Sequence, residues 1–101
     1  MAKFLVVYRG GDPGDGEMDE SVMDAWMGWF GSLGSAVTDM GNPFMGGTAI
    51  GPDGARSEET AGLSGYSLIE AGSLDDAAKA VAGCPHLASG GSVEVYEAVP
   101  M

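Results

Sequence analysis

The C-terminal part of the chain constrains the fold most, because two strand patterns there flank one helix with clear ends. The runs "LSGYSLIEA" (63–71) and "SVEVYEAV" (92–99) have the composition or the alternation typical of strands. Between them, Ser73 and Asp76 have the spacing of a helix N-cap motif. The run "GCP" (83–85) places a glycine before a proline, the order that ends a helix. A strand, a helix and a second strand are therefore predicted.

The N-terminal part repeats this order. The apolar run "KFLVVY" (3–8) predicts a buried strand, and an amphipathic pattern over 19–35 predicts a helix. Residues 44–50 form a weaker strand pattern, and 51–62 form a polar loop. The order β-α-β-β-α-β predicts one domain over residues 1–101, of the α+β class. In this ferredoxin-like fold, a four-stranded antiparallel sheet carries both helices on one face.

The first predicted helix has more apolar surface than one sheet can cover. Its apolar side chains form two stripes, Val22, Trp26, Trp29 and Leu33 on one and Met23, Met27 and Phe30 on the other. The second helix has one stripe, made by Leu74, Ala77, Ala78 and Val81. One stripe seats a helix on the sheet, so the other needs a partner subunit or a ligand pocket. The sheet face without helices also needs a cover. A homodimer is expected, with two sheets closing face to face into an α/β barrel.

Charge excludes some partners. Four basic against fifteen acidic residues give a net charge of −11, and the basic residues Lys3, Arg9, Arg56 and Lys79 are scattered. Such a chain is not expected to bind nucleic acid or an anionic membrane surface. The longest apolar run is too short to span a bilayer, and the N-terminus lacks signal-peptide organisation. With a single cysteine, these features predict a cytoplasmic protein.

His86, the one histidine of the chain, is the main candidate for a site. In the predicted topology it follows the second helix, at the end of the domain where Tyr8, Arg9, Tyr66 and Glu94 are also expected. An imidazole titrates near neutral pH, so His86 is a candidate general acid or base. Arg9 is a candidate for holding a carboxylate or enolate, whereas Tyr8, Tyr66 and Glu94 are candidate substrate-binding residues. In the alternative, His86 bonds backbone groups and fixes the loop before the last strand.

Trp26 is a further candidate for substrate binding, with core or dimer packing as the alternative. Cys84 is interpreted as structural, because the dipole at the C-terminal end of a helix raises the pKa of a thiol. No second cysteine or histidine is present to complete a zinc site. The acidic loop before the first helix lacks the glycine of a calcium-binding loop. No metal and no cofactor is therefore predicted.

Several segments resemble the YCII-related proteins, a branch of the dimeric α/β-barrel superfamily. They are "FLVVY", "AWMGWFGSLGSAVTDMGNP", "GYSLIEAGSLDDAAKAVAGCPHL" and "GGSVEVYE", which cover the chain apart from the loops 10–18 and 51–62. The resemblance implies a dimeric barrel with a small pocket between sheet and helices, and no settled activity. The Asp-Gly-Pro-Phe motif of many relatives is missing. The His-Asp pair proposed as catalytic in some members is also missing its histidine, since residues 19–35 contain none. The resemblance leaves two functions open, a small-molecule enzyme using His86 and a non-catalytic ligand-binding or interaction module.

Overall fold

Four strands form one antiparallel sheet in the computed structural model, which describes residues 2–10, 20–60, 62–88 and 90–100, with the backbone alone for 20–22. The elements in chain order are β1 (Ala2–Arg9), α1 (Glu20–Leu33), a 3₁₀ turn (Gly34–Ala36), β2 (Val37–Asp39), β3 (Ala49–Ile50), β4 (Arg56–Ser57), β5 (Leu63–Ala71), α2 (Leu74–Val81), α3 (Pro85–Ala88) and β6 (Ser92–Glu97). In the sheet the strands lie in the order β2-β5-β1-β6, so β1 pairs with both β5 and β6. The α+β class and the four-stranded sheet are as predicted.

The core lies between the sheet and the helices, which cover one face of it. Side chains alternate along a strand, so Phe4, Val6 and Tyr8 of β1 all point to this face, and all three are buried. They pack with Trp29 of α1 and with the remaining buried core residues, Ile69, Ala71, Ala77, Val81 and Cys84. We call this side of the sheet the helix face and the other side the outer face. No helix among the described residues is long and apolar enough to cross a membrane.

The best-delimited sequence patterns match the structure closely. The third strand of the sheet, β5, has the predicted bounds, and β1 and β6 agree to within two residues of the prediction. The backbone N–H of Asp76 donates to Ser73 Oγ over 3.1 Å, which is the predicted N-cap of α2. For α1, the spacing of Ser21 and Asp24 also fits a helix N-cap motif, but the Ser21 side chain lies outside the described part of the structure.

The prediction of a strand over 44–50 was wrong. The sheet takes its second strand from Val37–Asp39, directly after the helix, and this short strand pairs with β5. Ala49–Ile50, the end of the predicted strand, instead pairs with Arg56–Ser57 of the predicted loop in a separate hairpin. After β2 the chain continues alongside β5, because Gly41 lets the two backbones approach closely. A Cβ at Gly41 would lie 1.7 Å from the Tyr66 carbonyl oxygen, and the φ angle of Gly41 is +75°. A pattern search for apolar strands does not detect such a contact.

Two details of the second helix also differ from the prediction. Ala77 and Val81 are buried as predicted, but Leu74 and Ala78 are exposed, because the short helix buries only one narrow line of side chains. Pro85 does more than follow a helix end, since it begins the one-turn helix α3 that contains His86. Proline suits the first turn of a helix because no intrahelical bond needs its N–H there.

The two predicted stripes of α1 differ in burial. In the first, Trp29 is buried, and Trp26 and Leu33 pack against the core while remaining partly exposed. Phe30 of the second stripe also packs against the core and is partly exposed. Met23 and Met27 of the second stripe are 52% and 58% exposed in the single chain. Trp29 is also the polar link between helices, since its Nε1 donates to the Ala80 carbonyl oxygen over 3.1 Å.

Trp29→Ala is expected to lower the free energy of unfolding by about 3–5 kcal/mol, the usual cost of removing a buried aromatic side chain. The matched change Trp26→Ala is expected to cost less, because part of the Trp26 ring is already in contact with solvent. Urea unfolding at one fixed protein concentration measures both. Equal midpoints for the two variants would contradict this assignment of the buried tryptophan.

Candidate functional site

The imidazole of His86 is held by main-chain groups at the end of β1. Its Nε2 lies 2.9 Å from the carbonyl oxygen of Arg9. A carbonyl can only accept a hydrogen bond, so Nε2 carries the proton and donates it. In the neutral ring the lone pair is therefore on Nδ1. The main-chain contact at Nε2 thus fixes both the orientation of the ring and the tautomer of the neutral imidazole.

Gly91 is what lets the imidazole reach this position. A Cβ built at Gly91 would lie 2.1 Å from His86 Nε2, well inside the contact distance of real atoms. The main-chain N–H of Gly91 also donates to the His86 carbonyl oxygen over 3.2 Å. The loop before β6 therefore closes around the imidazole, as in the alternative interpretation of His86 as a loop-fixing residue.

Three rings meet on the helix face at this end of the sheet, and we call them the aromatic site: Tyr8, Trp26 and His86. The ring centroids of Tyr8 and His86 are 5.5 Å apart, and those of Trp26 and His86 are 6.5 Å apart. Tyr8 and Trp26 meet edge to face at 5.2 Å. His86 and Trp26 are both partly exposed. Of the six predicted site residues, the structure brings these three together.

Tyr8 contributes its ring to the aromatic site, and its hydroxyl group lies in the core. The hydroxyl oxygen is 2.7 Å from Ser67 Oγ. Burial raises the pKa of Tyr8 to about 12, so the phenol is neutral over the ordinary pH range.

Arg9 and Glu94 lie together on the outer face, because strand alternation directs both side chains away from the helices. Arg9 Nη1 is 2.8 Å from Glu94 Oε2, and both side chains are partly exposed. Tyr96 donates its hydroxyl to the other oxygen of Glu94. The bonds from Tyr96 and Arg9 lower the pKa of Glu94, and the bond to Glu94 raises the pKa of Tyr96. The carbonyl group of Arg9, in contrast, accepts the hydrogen bond from His86.

Tyr66 is also on the outer face, opposite Val7 of β1. Its hydroxyl lies 3.5 Å from Asp39 Oδ2, and its ring stacks on Phe44 with centroids 5.9 Å apart. The side chains of Arg9, Tyr66 and Glu94 are thus separated from the His86 ring by the sheet. Near Phe44 there is an open depression of about 350 Å³, lined by Phe44, Met45, Gly46, Gly47, Thr48, Thr60 and Leu63. None of these described lining residues has a titratable side chain.

Cys84 behaves as a structural residue, consistent with its interpretation from the sequence. It is 3% exposed, and burial raises the pKa of its thiol. Within the ranges that the structure describes, no group of three or more His, Cys, Asp or Glu side chains is placed to hold a metal ion. The acidic loop weighed for calcium, with Asp15, Glu17 and Asp19, lies outside the described residues.

Sequence reasoning missed Ser67, Gly91 and Tyr96. Ser67 shares its strand face with Ile69 and Ala71, so strict alternation along β5 would have placed its hydroxyl in the core. Tyr96 is two residues from Glu94 on the last strand and therefore on the same face. Nothing in the sequence marks Gly91 as the glycine that contacts His86, since another glycine precedes it.

Comparison with known proteins adds one structural likeness. No protein-family model matches the sequence, and no curated protein matches it. Among solved structures, the chain is similar to 5-chloro-2-hydroxyhydroquinone dehydrochlorinase (TftG) from Burkholderia phenoliruptrix AC1100, in complex with 2,5-dihydroxybenzoquinone. The match has a TM-score of 0.54 and 20% sequence identity, and it covers 90% of each chain. At that identity the likeness shows the fold, which is the dimeric α/β-barrel fold.

Proposed function

We propose that this protein is a YCII-related homodimer that binds a small organic molecule at the aromatic site and uses His86 as a general acid or base. One observation carries the proposal: an imidazole fixed through Nε2, with its partly exposed ring beside Tyr8 and Trp26. A catalytic imidazole needs one nitrogen held so that the other keeps a fixed direction. Here the Arg9 carbonyl has that orienting role.

The chemistry would take place at the His86 imidazole. As a base, the imidazole accepts a proton from an acidic C–H or O–H of the ligand, and the imidazolium returns the proton later as an acid. Planar rings can contact Tyr8 and Trp26 through dispersion and quadrupole interactions. In this proposal Arg9 acts through its main chain, and its guanidinium belongs to the outer face with Glu94. Tyr66 and Glu94 are likewise assigned to the outer face and not to the substrate.

A non-catalytic binding module with the same site is the second candidate. The acceptor at Nε2 is a neutral carbonyl, whereas a carboxylate would stabilise the imidazolium that forms during acid–base catalysis. That feature favours binding without turnover. The neighbour of the same fold is described as a dehydrochlorinase in complex with a planar quinone. This description supports a small organic ligand for the present protein. It does not distinguish the enzyme from the binding module.

The composition of the outer face supports the proposed homodimer. Strands β1, β5 and β6 place Leu5, Val7 and Leu68 there, together with two basic and two acidic side chains, Lys3, Arg9, Glu70 and Glu94. Lys3 lies opposite Glu70, and Arg9 pairs with Glu94. Asp39 of β2 adds a third carboxylate beside Tyr66, so these five charged side chains sum to −1, against −11 for the whole chain. Face-to-face contact would cover the partly exposed Leu5 and Leu68 without bringing many like charges together. We also propose a cytoplasmic location.

Gly91→Ala tests the site while keeping every titratable side chain. The added methyl group is expected to push the imidazole off the Arg9 carbonyl, because it would overlap Nε2. The imidazole resonances of the single histidine should move, and their response to benzoate and hydroquinone, used as first probes, should be lost. Proton NMR titration measures both effects.

Gly28→Ala on α1 is the matched control, because a Cβ there meets nothing within 4 Å. Its histidine resonances and ligand response should equal those of the unchanged protein. A Gly91→Ala protein with unaltered histidine resonances contradicts the assigned geometry. If no small organic acid or hydroxylated ring perturbs His86 in the unchanged protein, the proposed site is wrong. Retained turnover of an identified substrate by His86→Ala would contradict the role of His86 as a general acid or base.

Leu5→Glu tests the dimer. Sedimentation equilibrium of the unchanged protein at micromolar concentration is expected to report twice the chain mass. Leu5 lies at the centre of the outer face, opposite Leu68 and Tyr96. A carboxylate there should shift the protein to monomer, because it would be desolvated beside an identical charge. A parent protein that sediments as a monomer at every concentration contradicts the proposal.

Ala78→Glu is the matched control for charge, because Ala78 is exposed on α2, on the other side of the sheet. It adds the same carboxylate and should leave the dimer intact. Far-ultraviolet circular dichroism of the Leu5→Glu monomer should retain the parent spectrum, since Leu5 is outside the core cluster.

A further inference from the structure

We propose that Ser67 is a positioning residue of the aromatic site, which acts by anchoring the Tyr8 ring. The inference rests on the proposed function of that site. Among the residues whose side chains the structure describes, Ser67 is the buried polar one, with 0% exposure. It contacts no ligand-accessible surface, so its effect must pass through a neighbour. That neighbour is the phenol of Tyr8, whose ring contacts both His86 and Trp26.

The direction of the hydrogen bonds follows from their acceptors. Ser67 Oγ is 2.7 Å from the Met40 carbonyl oxygen and 2.7 Å from the Tyr8 hydroxyl oxygen. The carbonyl can only accept, so the single hydroxyl proton of Ser67 is donated to Met40. The Tyr8 hydroxyl must then be the donor to Ser67 Oγ. The two bonds run in one direction, from the Tyr8 phenol through Ser67 to the main chain after β2.

This arrangement fixes the Tyr8 ring at its far end. The backbone of β1 holds one end of the side chain, between β5 and β6, and Ser67 holds the hydroxyl. A tyrosine held at both ends keeps the direction of its long axis and the position of its ring centre. Its distances of 5.2 Å to Trp26 and 5.5 Å to His86 are then set by the core and not by the ligand. Such a preorganised wall avoids the cost of ordering the side chain on binding.

Ser67 could instead serve only to satisfy the Met40 carbonyl group. That role predicts a loss of stability on Ser67→Ala without any change around His86. The positioning role predicts a change at His86 and Trp26, which Ser67 does not touch. Resonances of these two residues distinguish the roles, because ring-current shifts depend on the distance and tilt of the Tyr8 ring.

The experiment compares the histidine and tryptophan side-chain resonances of the unchanged protein and four variants by NMR, without any ligand. Ser67→Ala removes the acceptor, and Tyr8→Phe keeps the ring but removes the donor. Both are expected to move the His86 and Trp26 resonances, and the double variant is expected to add no further shift. Ala71→Gly is the control, since it also shortens a buried side chain on the same face of β5. Among the described contacts, Ala71 makes no hydrogen bond to Tyr8.

Unchanged His86 and Trp26 resonances in Ser67→Ala would overturn the proposal, as would additive shifts in the double variant. If Ser67→Ala does not fold, Tyr8→Phe alone decides, because it loses the same bond and keeps the apolar ring. Resonances of Tyr8→Phe identical to those of the unchanged protein then overturn the proposal. These measurements use no ligand, so a failed ligand search counts against the proposed function and leaves this inference standing.

Discussion

The antiparallel pairing of β1 with β5 on one side and β6 on the other determines most of this structure. It sets Val6 opposite Ser67 and Tyr8 opposite Gly65, and it thereby selects which side chains share a face. In this register Phe4, Val6 and Tyr8 all point to the helix face. A shift of one residue would exchange the two faces and send Lys3 and Arg9 into the core. The core, the aromatic site and the outer face all depend on this one register.

The sequence predicted the elements whose limits come from local chemistry. The cap at Ser73 and the bounds of β5 follow from nearby residues, so they could be derived without the rest of the chain. The second strand could not be found in this way. Val37–Asp39 is too short to have a pattern of its own, and it becomes a strand because β5 offers a free edge and Gly41 permits close approach. Tertiary pairing decided what local propensity did not.

The predicted topology correctly brought the candidate site residues to one end of the domain. It did not distinguish the two faces of the sheet on which their side chains lie. His86, Tyr8 and Trp26 meet as a group, whereas Arg9, Tyr66 and Glu94 follow strand alternation to the other side. Counting positions along β1 is enough to separate Tyr8 from Arg9, because neighbouring residues of a strand point to opposite faces. The contact of His86 with a main-chain carbonyl is different, because no side-chain pattern encodes it. The net charge of the chain, in turn, does not reveal that the described charges of the outer face nearly cancel, with two basic side chains against three acidic ones.

The acceptor of the His86 hydrogen bond is supplied by the backbone of residue 9, and every amino acid has that carbonyl group. Replacement of Arg9 by another residue would remove the pair with Glu94 and leave the imidazole anchored. The two sides of the sheet can therefore change independently in evolution, although one residue serves both. Variation at position 9 would alter how copies of the chain recognise each other. Variation at position 91 would alter the orientation of the histidine, so related sequences should tolerate exchange at the first position and retain glycine at the second.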